Sequence, residues 1–341
     1  MTVTLKKVAQ AAGVSVSVAS RALNGHGKTY RIKDDTVQRV QHVAERLGFR
    51  PSQVARSLRT QKTGLIGVVV PDLANPFFAS IARSITLASE TEGYSVVVAD
   101  SREQTLLEQR LVEQLVDRQI EALVVCPVGQ TCEHLQAVEQ QGLPIVLVDR
   151  TFPNCDLLQV TSAHRDGAER AVRLLTKQGH RVIGVLQGLP GTLPNEERLS
   201  GLRAALRDSQ LTFDPSLVAG DNFTEPSGYQ SALRLLSRRP DISALFAFST
   251  PNALGGLRAA REVGRQVPEQ LSMVTFDDSP FADFMSVPLS TICQDVQRLG
   301  SQAAALVLRS LACDKSLSKK YRHEIPVRVI RRSSIMKLDS T

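Results

Sequence analysis

Val16, Ser17, Ser20, Arg21 and Asn24 recur on one side of a short segment, and their chemistry suits contact with the edges of DNA bases. All but Val16 and Arg21 are small and polar, which lets the backbone that carries them approach closely. The Arg21 guanidinium matches the paired acceptors of guanine, and an aliphatic methyl such as that of Val16 matches thymine. Such a face needs rigid support. Ala19, Ala22 and Leu23 make an apolar stripe on the opposite side, and Ser15 is a suitable N-cap. Just before it, Leu5, Val8, Ala9 and Ala12 recur at helical spacing until Gly13 breaks the run. Two short helices joined by a tight turn predict a helix-turn-helix, with the second helix as the reader. A third helix is predicted from about Asp34 to Leu47, on the stripe Val37, Val40, Val43, Ala44 and Leu47, and Gly48 ends it.

Charge supports this assignment. Residues 1–62 hold twelve Lys or Arg against Asp34, Asp35 and Glu45, a surplus of nine positive charges. The whole chain of 341 residues carries only +7, which leaves the remainder at −2. The basic character therefore belongs to the first sixty residues, the footprint of a nucleic-acid-binding head on an ordinary body. The loop GHGKTYRIKDDT, between the reading helix and the third helix, is itself strongly basic and offers either extra phosphate contacts or a solvated edge.

The segment from Arg50 to Lys62 joins head to body. Pro51 fits the first turn of a short helix, and Val54, Ala55 and Leu58 fall on one face. Two turns are too few for independent stability, so this hinge is expected to order only against a partner; a plain basic linker is the other reading. From Leu65 onward the pattern alternates buried strands and helices. LIGVVVPD, YSVVVAD, EALVVCPV and PIVLVDR form a first round, and RVIGVLQG, ISALFAFS and LSMVTFDD a second. That alternation predicts parallel sheets covered by helices, arranged as two similar subdomains with a cleft between them. Ligands bind beyond the carboxyl ends of such strands, and Asp277 stands at one of them.

Several classes of function are disfavoured. There is no apolar run long enough to span a membrane and no apolar leader at the N-terminus. Cys126, Cys132, Cys155, Cys293 and Cys313 are scattered without zinc spacing, which predicts reduced thiols in a cytoplasm and no metal. Phosphate-loop, nucleophile-elbow and HExxH motifs are missing, so neither an enzyme nor a cofactor is expected.

With these residues in view, the chain resembles the lactose-repressor family of bacterial transcription regulators over essentially its whole length. The motifs are VAQAAGVSVSVASRALNG, RPSQVARSLRT, IGVVVPDLANPFF, LSMVTFDD, PLSTICQD and VRVIRRSS, in that order. The resemblance implies an all-α helix-turn-helix head over residues 1–50, a hinge over 51–62 and a periplasmic-binding-protein-like α/β body over 63–341. The body divides into two interleaved doubly wound parallel-sheet subdomains, approximately 63–162 with 293–322 and 163–290 with 323–341. The implied partners are operator DNA, a small-molecule effector such as a sugar, and further copies of the chain in a homodimer or tetramer. Val16, Ser17 and Arg21 would meet base edges, with Ser15, Val18 and Asn24 near phosphates. Ala55 and Leu58 would contact DNA from the hinge, Leu58 as a wedge between base steps. Asn75, Phe77, Phe78, Asp149, Arg198, Phe223, Thr250, Asp277 and Gln294 would line the effector cleft.

The chain also departs from the family pattern. Lys7 replaces a usual aspartate and Val18 a usual threonine, while the loop after the reading helix is longer than usual. Ala163-His164 replaces a common Asp-Asn, and Ser249-Thr250 a common Asn-Asp. Those pairs ordinarily bind hydroxyls, so no particular sugar carries over. The expected function is a sequence-specific DNA-binding repressor controlled by an effector. The alternatives are a constitutive regulator without effector, or a sugar-binding protein or enzyme.

Overall fold

The computed structural model describes residues 3–49, 62–313 and 321–338. Ala55 and Leu58 lie outside them. The chain divides into two compact units, Met1–Thr63 and Gly64–Thr341.

Among the described residues the first unit contains three helices, α1 (Leu5–Ala11), α2 (Val16–Leu23) and α3 (Asp34–Arg46). Each is too short to persist alone, and a shared core closes them: Val8, Ala9 and Ala12 meet Ala19 and Ala22, with Val40, Val43 and Ala44 beneath. Alanine dominates that contact, which lets the helices cross closely. Ser15 accepts from the Val18 amide at 3.3 Å and so fixes where α2 begins.

The second unit is built on two six-stranded sheets. In chain order its elements are β1 (Leu65–Val70), α4 (Pro76–Glu90), β2 (Ser95–Asp100), α5 (Thr105–Asp117), β3 (Ala122–Val125), α6 (Glu133–Gln140), β4 (Ile145–Val148) and β5 (Leu158–Ser162). There follow α7 (His164–Thr176), β6 (Ile183–Leu186), α8 (Leu193–Asp208), β7 (Val218–Ala219), α9 (Glu225–Arg238), β8 (Ala244–Ala247), α10 (Thr250–Glu262), β9 (Ser272–Phe276) and β10 (Ser290–Cys293). The last are α11 (Val296–Leu311), β11 (Arg322–Ile325) and β12 (Arg328–Ile330). The strand orders are β11-β5-β4-β3-β1-β2 and β12-β10-β9-β8-β6-β7. All neighbours are parallel except the antiparallel edge pair β10–β12.

Both faces of each sheet are buried, which explains why the strands read as unbroken apolar runs. On β1, Ile66, Val68 and Val70 pack under α4 and α11, while Val69 faces the opposite core with Leu123 and Leu147. The second sheet repeats this arrangement, with Val185, Phe246 and Phe276 on one face and Leu245 and Met273 on the other.

The chain passes between the lobes three times: before α7, between β10 and α11, and between β11 and β12. The last crossing lies beyond the expected one. Arg322–Ile325 pairs with Gln159–Ser162, so the first lobe extends through Ile325 instead of stopping at 322. The rhythm read from sequence also omits β5 and α11. In β5 the polar Gln159, Thr161 and Ser162 are buried, which interrupts the apolar run that marks a strand.

Candidate ligand cleft and nucleic-acid interface

In the first unit the predicted reading face is where the sequence places it. Val16, Ser17, Arg21 and Asn24 are exposed on α2 while Ala19 and Ala22 are buried. The polar members are partly committed to local structure. The Ser15 and Ser17 hydroxyls lie 3.0 Å apart, and Asn24 donates through Nδ2 to the Ser20 carbonyl at 2.7 Å. Val18 is half-buried. Arg21 is stacked on Tyr30, its guanidinium carbon 3.9 Å from the ring centroid.

In the second unit the cleft forms where strand ends of the two lobes face each other. Asn75, Phe77 and Phe78 follow β1, and Asp149 and Arg150 follow β4. Opposite them stand Pro194 and Arg198 on α8, Phe223 ahead of α9, Ser249 after β8, Asp277 after β9 and Gln294 after β10. The lobes are closed on one another, leaving about 20 Å³ of free space, room for about one water. Two contacts hold them together beside the cleft: Glu197 pairs with Arg322 at 2.6 Å, and the Gln130 amide donates to the Pro190 carbonyl at 2.7 Å.

Charge in the cleft is buried and interlocked. Arg198 donates to the Phe248 carbonyl and, through Nη2, to His164 Nδ1 at 3.2 Å. Its guanidinium also lies 4.0 Å from the Phe276 centroid. An arginine can only donate, so Nδ1 is the accepting nitrogen of a neutral imidazole. His164 Nε2 then donates to Thr161 Oγ1 at 3.2 Å, and Thr161 donates to the Asp149 carbonyl at 2.8 Å. Burial, reinforced by Arg198, holds the His164 pKa well below its ordinary value and keeps the ring neutral. Arg150 makes a two-pronged pair with Glu103 at 2.6 and 2.7 Å, and its guanidinium sits 5.0 Å from Phe223 and 5.4 Å from Phe78.

Asp149 and Asp277 both adopt left-handed backbone conformations, with φ of 63° and 70°. Residues other than glycine rarely do so, and here each turn aims a carboxylate into the seam. Burial pushes the Asp149 carboxyl up to about 7, against the opposing pull of Arg198. Burial likewise raises Asp277, which Arg198 and the Gln294 amide counteract. Asp149 Oδ1, Gln294 Oε1 and Arg198 Nε are buried polar atoms without hydrogen-bond partners. Two acceptors and one donor are thus left to be matched.

Most of the predicted cleft residues meet there, but Thr250 does not. It is the first residue of α10, and its hydroxyl points back to the Asp277 carbonyl at 3.2 Å. Ser249 does reach the cleft, although its hydroxyl donates to Asn252 Oδ1 at 2.6 Å and caps α10. Asn75 reaches it too while capping α4, its side chain accepting from the Phe77 amide at 3.1 Å. Arg150, Pro194 and Ser249 are lining residues that sequence reasoning did not select, and His164 supports the site from behind. Arg150 directly follows the predicted Asp149 at a strand end, a position that could have disclosed it.

A helix-turn-helix unit with a basic reading face, followed by a two-lobed body that closes on a polar cleft, defines a ligand-responsive DNA-binding regulator. Residues 4–52 match the family described as bacterial regulatory proteins, lacI family, and residues 172–335 a periplasmic binding protein-like domain. The chain is 30% identical to the ribose operon repressor of Halalkalibacterium halodurans, over 97% of this chain and 96% of that protein. It is 32% identical to the repressor CytR of Escherichia coli K12, over 89% of each. Among solved structures, it is similar to the lac repressor dimer bound to operator and the anti-inducer ONPF, with 25% identity and a TM-score of 0.86 over 98% and 100% of the two chains. It is also similar to the regulator CelR in complex with cellobiose, with 27% identity and a TM-score of 0.74 over 97% and 99%. The chain belongs to the LacI family of bacterial transcription regulators.

Two predictions test the cleft. A Cβ at Gly188 would lie 2.1 Å from the Phe223 ring, so Gly188→Ala drives that ring out of its seat. Titration calorimetry with the effector should show weaker binding, whereas DNA binding without effector should be unchanged. The raised Asp149 pKa also makes stability pH-dependent. A carboxyl that keeps its proton better when folded costs nothing below the ordinary ~3.9. The cost grows as pH rises through the window up to about 7. Asp149→Asn should therefore gain thermal stability relative to the unsubstituted chain as pH is raised from about 5 to about 8. A pH-independent difference in unfolding midpoint would contradict this.

Proposed function

We propose that this chain is a repressor that binds operator DNA as a homodimer and changes its affinity when a small, neutral, polyhydroxylated effector occupies the cleft. The observation that carries the effector's chemistry is the convergence of Asp149, Asp277, Arg150 and Arg198 beside Phe77, Phe78 and Phe223. Carboxylates accept and guanidiniums donate, while a hydroxyl does both, so a compact sugar satisfies the set and offers its apolar faces to the rings. A strongly anionic ligand would meet two carboxylates. The similarity to a ribose operon repressor supports a sugar of pentose size.

The reading is one of binding without turnover. His164, behind the cleft, has both ring nitrogens engaged and is fully buried, and the Ser249 hydroxyl is spent on its helix cap. Homodimerisation is supported by large apolar side chains left at the surface, Phe284 at 89% and Phe281 at 63% exposure, and by the dimeric state of the lac repressor structure. An effector that sets the relative position of the lobes biases a two-state body, as ligand control of DNA binding requires.

A thermal-shift screen of the full chain against aldopentoses, hexoses and their phosphates tests the effector, because a ligand selective for the folded state raises the unfolding temperature. Ribose and close stereoisomers should give the largest shifts. Asp277→Ala should abolish the shift and leave DNA binding nearly intact; an undiminished shift in that variant removes Asp277 from the site. For DNA, Arg21→Ala should cost ~1–3 kcal/mol and relax preference at one base pair per half-site. Equal weakening on all sequences would mean that Arg21 touches phosphate only.

A further inference from the structure

The basic loop after the reading helix plays no part in the reading above, yet it is a built structure. Hydrogen bonds close its backbone, among them His26 N to Arg21 O at 3.0 Å, Tyr30 N to His26 O at 3.1 Å, Arg31 N to Lys28 O at 3.1 Å and Ile32 N to Gly27 O at 2.9 Å. The loop lies tight against α3, since a Cβ at Gly27 would come within 2.7 Å of Val37 Cγ2. Arg31 takes a left-handed φ of 52° to complete the turn. Tyr30 therefore projects from a fixed support. It is 51% exposed, and its ring carries the guanidinium of Arg21, which is itself exposed on the outer face of α2.

This stack leaves the chemistry of Arg21 available. The guanidinium carbon lies over the ring, 3.9 Å from its centroid, whereas guanine is gripped through N–H groups, of which a guanidinium has five, so both contacts can hold at once. Bidentate recognition also requires the guanidinium to lie near the plane of the base. An unsupported exposed arginine samples many rotamers and loses that freedom on docking. A ring that fixes the plane beforehand removes part of the loss.

We propose that Tyr30 is a specificity-determining positioning residue, which braces Arg21 for the major groove and makes the loop part of the base-reading apparatus. The inference rests on the reading of Arg21 as a base contact, and its test separates the two.

The full chain is used to select duplexes from a random pool. Affinity is then measured at one fixed salt concentration for the selected site and for the same site altered at the base pair whose preference Arg21→Ala relaxes. The readout is the ratio of the two affinities. Tyr30→Ala should lower that ratio about two- to fivefold, the scale of an exposed cation–π contact. Tyr30→Phe, which keeps the ring face, should restore it. In an Arg21→Ala background, Tyr30→Ala should leave the ratio where it is. Equal weakening on both duplexes would make Tyr30 a backbone contact and overturn the proposal. So would an unchanged ratio in Tyr30→Ala when Arg21→Ala collapses it. If Arg21→Ala relaxes no base pair at all, the reading of Arg21 itself fails, and the brace falls with it.

Discussion

The body depends on keeping charge out of water at the seam between its lobes. Asp149, Arg150, Arg198 and Asp277 are all buried, and each removed alone from solvent would cost several kcal/mol. They are tolerable because opposite signs meet at the seam: Arg198 from α8 faces carboxylates on the ends of β4 and β9, and Glu103 neutralises Arg150 from a neighbouring loop. The same cluster that makes the closed arrangement possible leaves polar atoms without partners, so it is incompletely satisfied by protein alone. A ligand that matches those atoms gains from the seam's low dielectric, and one that does not pays for it.

Backbone conformation makes the cluster possible. Left-handed turns at Asp149 and Asp277 come directly after the last buried residue of a strand, so each aspartate leaves the sheet at a sharp angle into the cleft. The sheets supply rigidity, with cores on both faces, while three passages of the chain join the lobes. Such a construction lets two stiff bodies change their relative setting without repacking either core. The run from Arg198 through His164 and Thr161 to the Asp149 backbone is continuous in hydrogen-bond direction, and it ties a residue of the second lobe to a strand end of the first. His164 stands where the family usually has asparagine, and it can serve this run only as a neutral ring, which burial ensures.

The DNA-binding unit answers to different physics. Its core is small and alanine-rich, its helices are short, and its surplus charge faces outward. Positive charge supplies sequence-independent attraction to phosphate, so discrimination has to come from contacts with base edges. That division explains why a family match over residues 4–52 coexists with individual changes such as Val18 and the longer loop. Packing and charge define the unit, and single residues tune what it reads.

The helix-turn-helix, the alternation of strands and helices, and most of the cleft are legible in the order of residues alone. These depend on local periodicity, on caps such as Ser15, and on polar residues placed at strand ends such as Asp149 and Asp277, all of which are written in consecutive positions. Where polar residues sit inside a buried strand, as Gln159 and Thr161 do in β5, the apolar run that marks a strand is interrupted. Folding in three dimensions turns Thr250 away to the Asp277 carbonyl, brings Arg150 into the cleft paired with Glu103, and sets His164 against Arg198. It likewise sets Tyr30 against Arg21. Each of these joins side chains through space, and a side chain's direction is set by neighbours that the order of residues does not name.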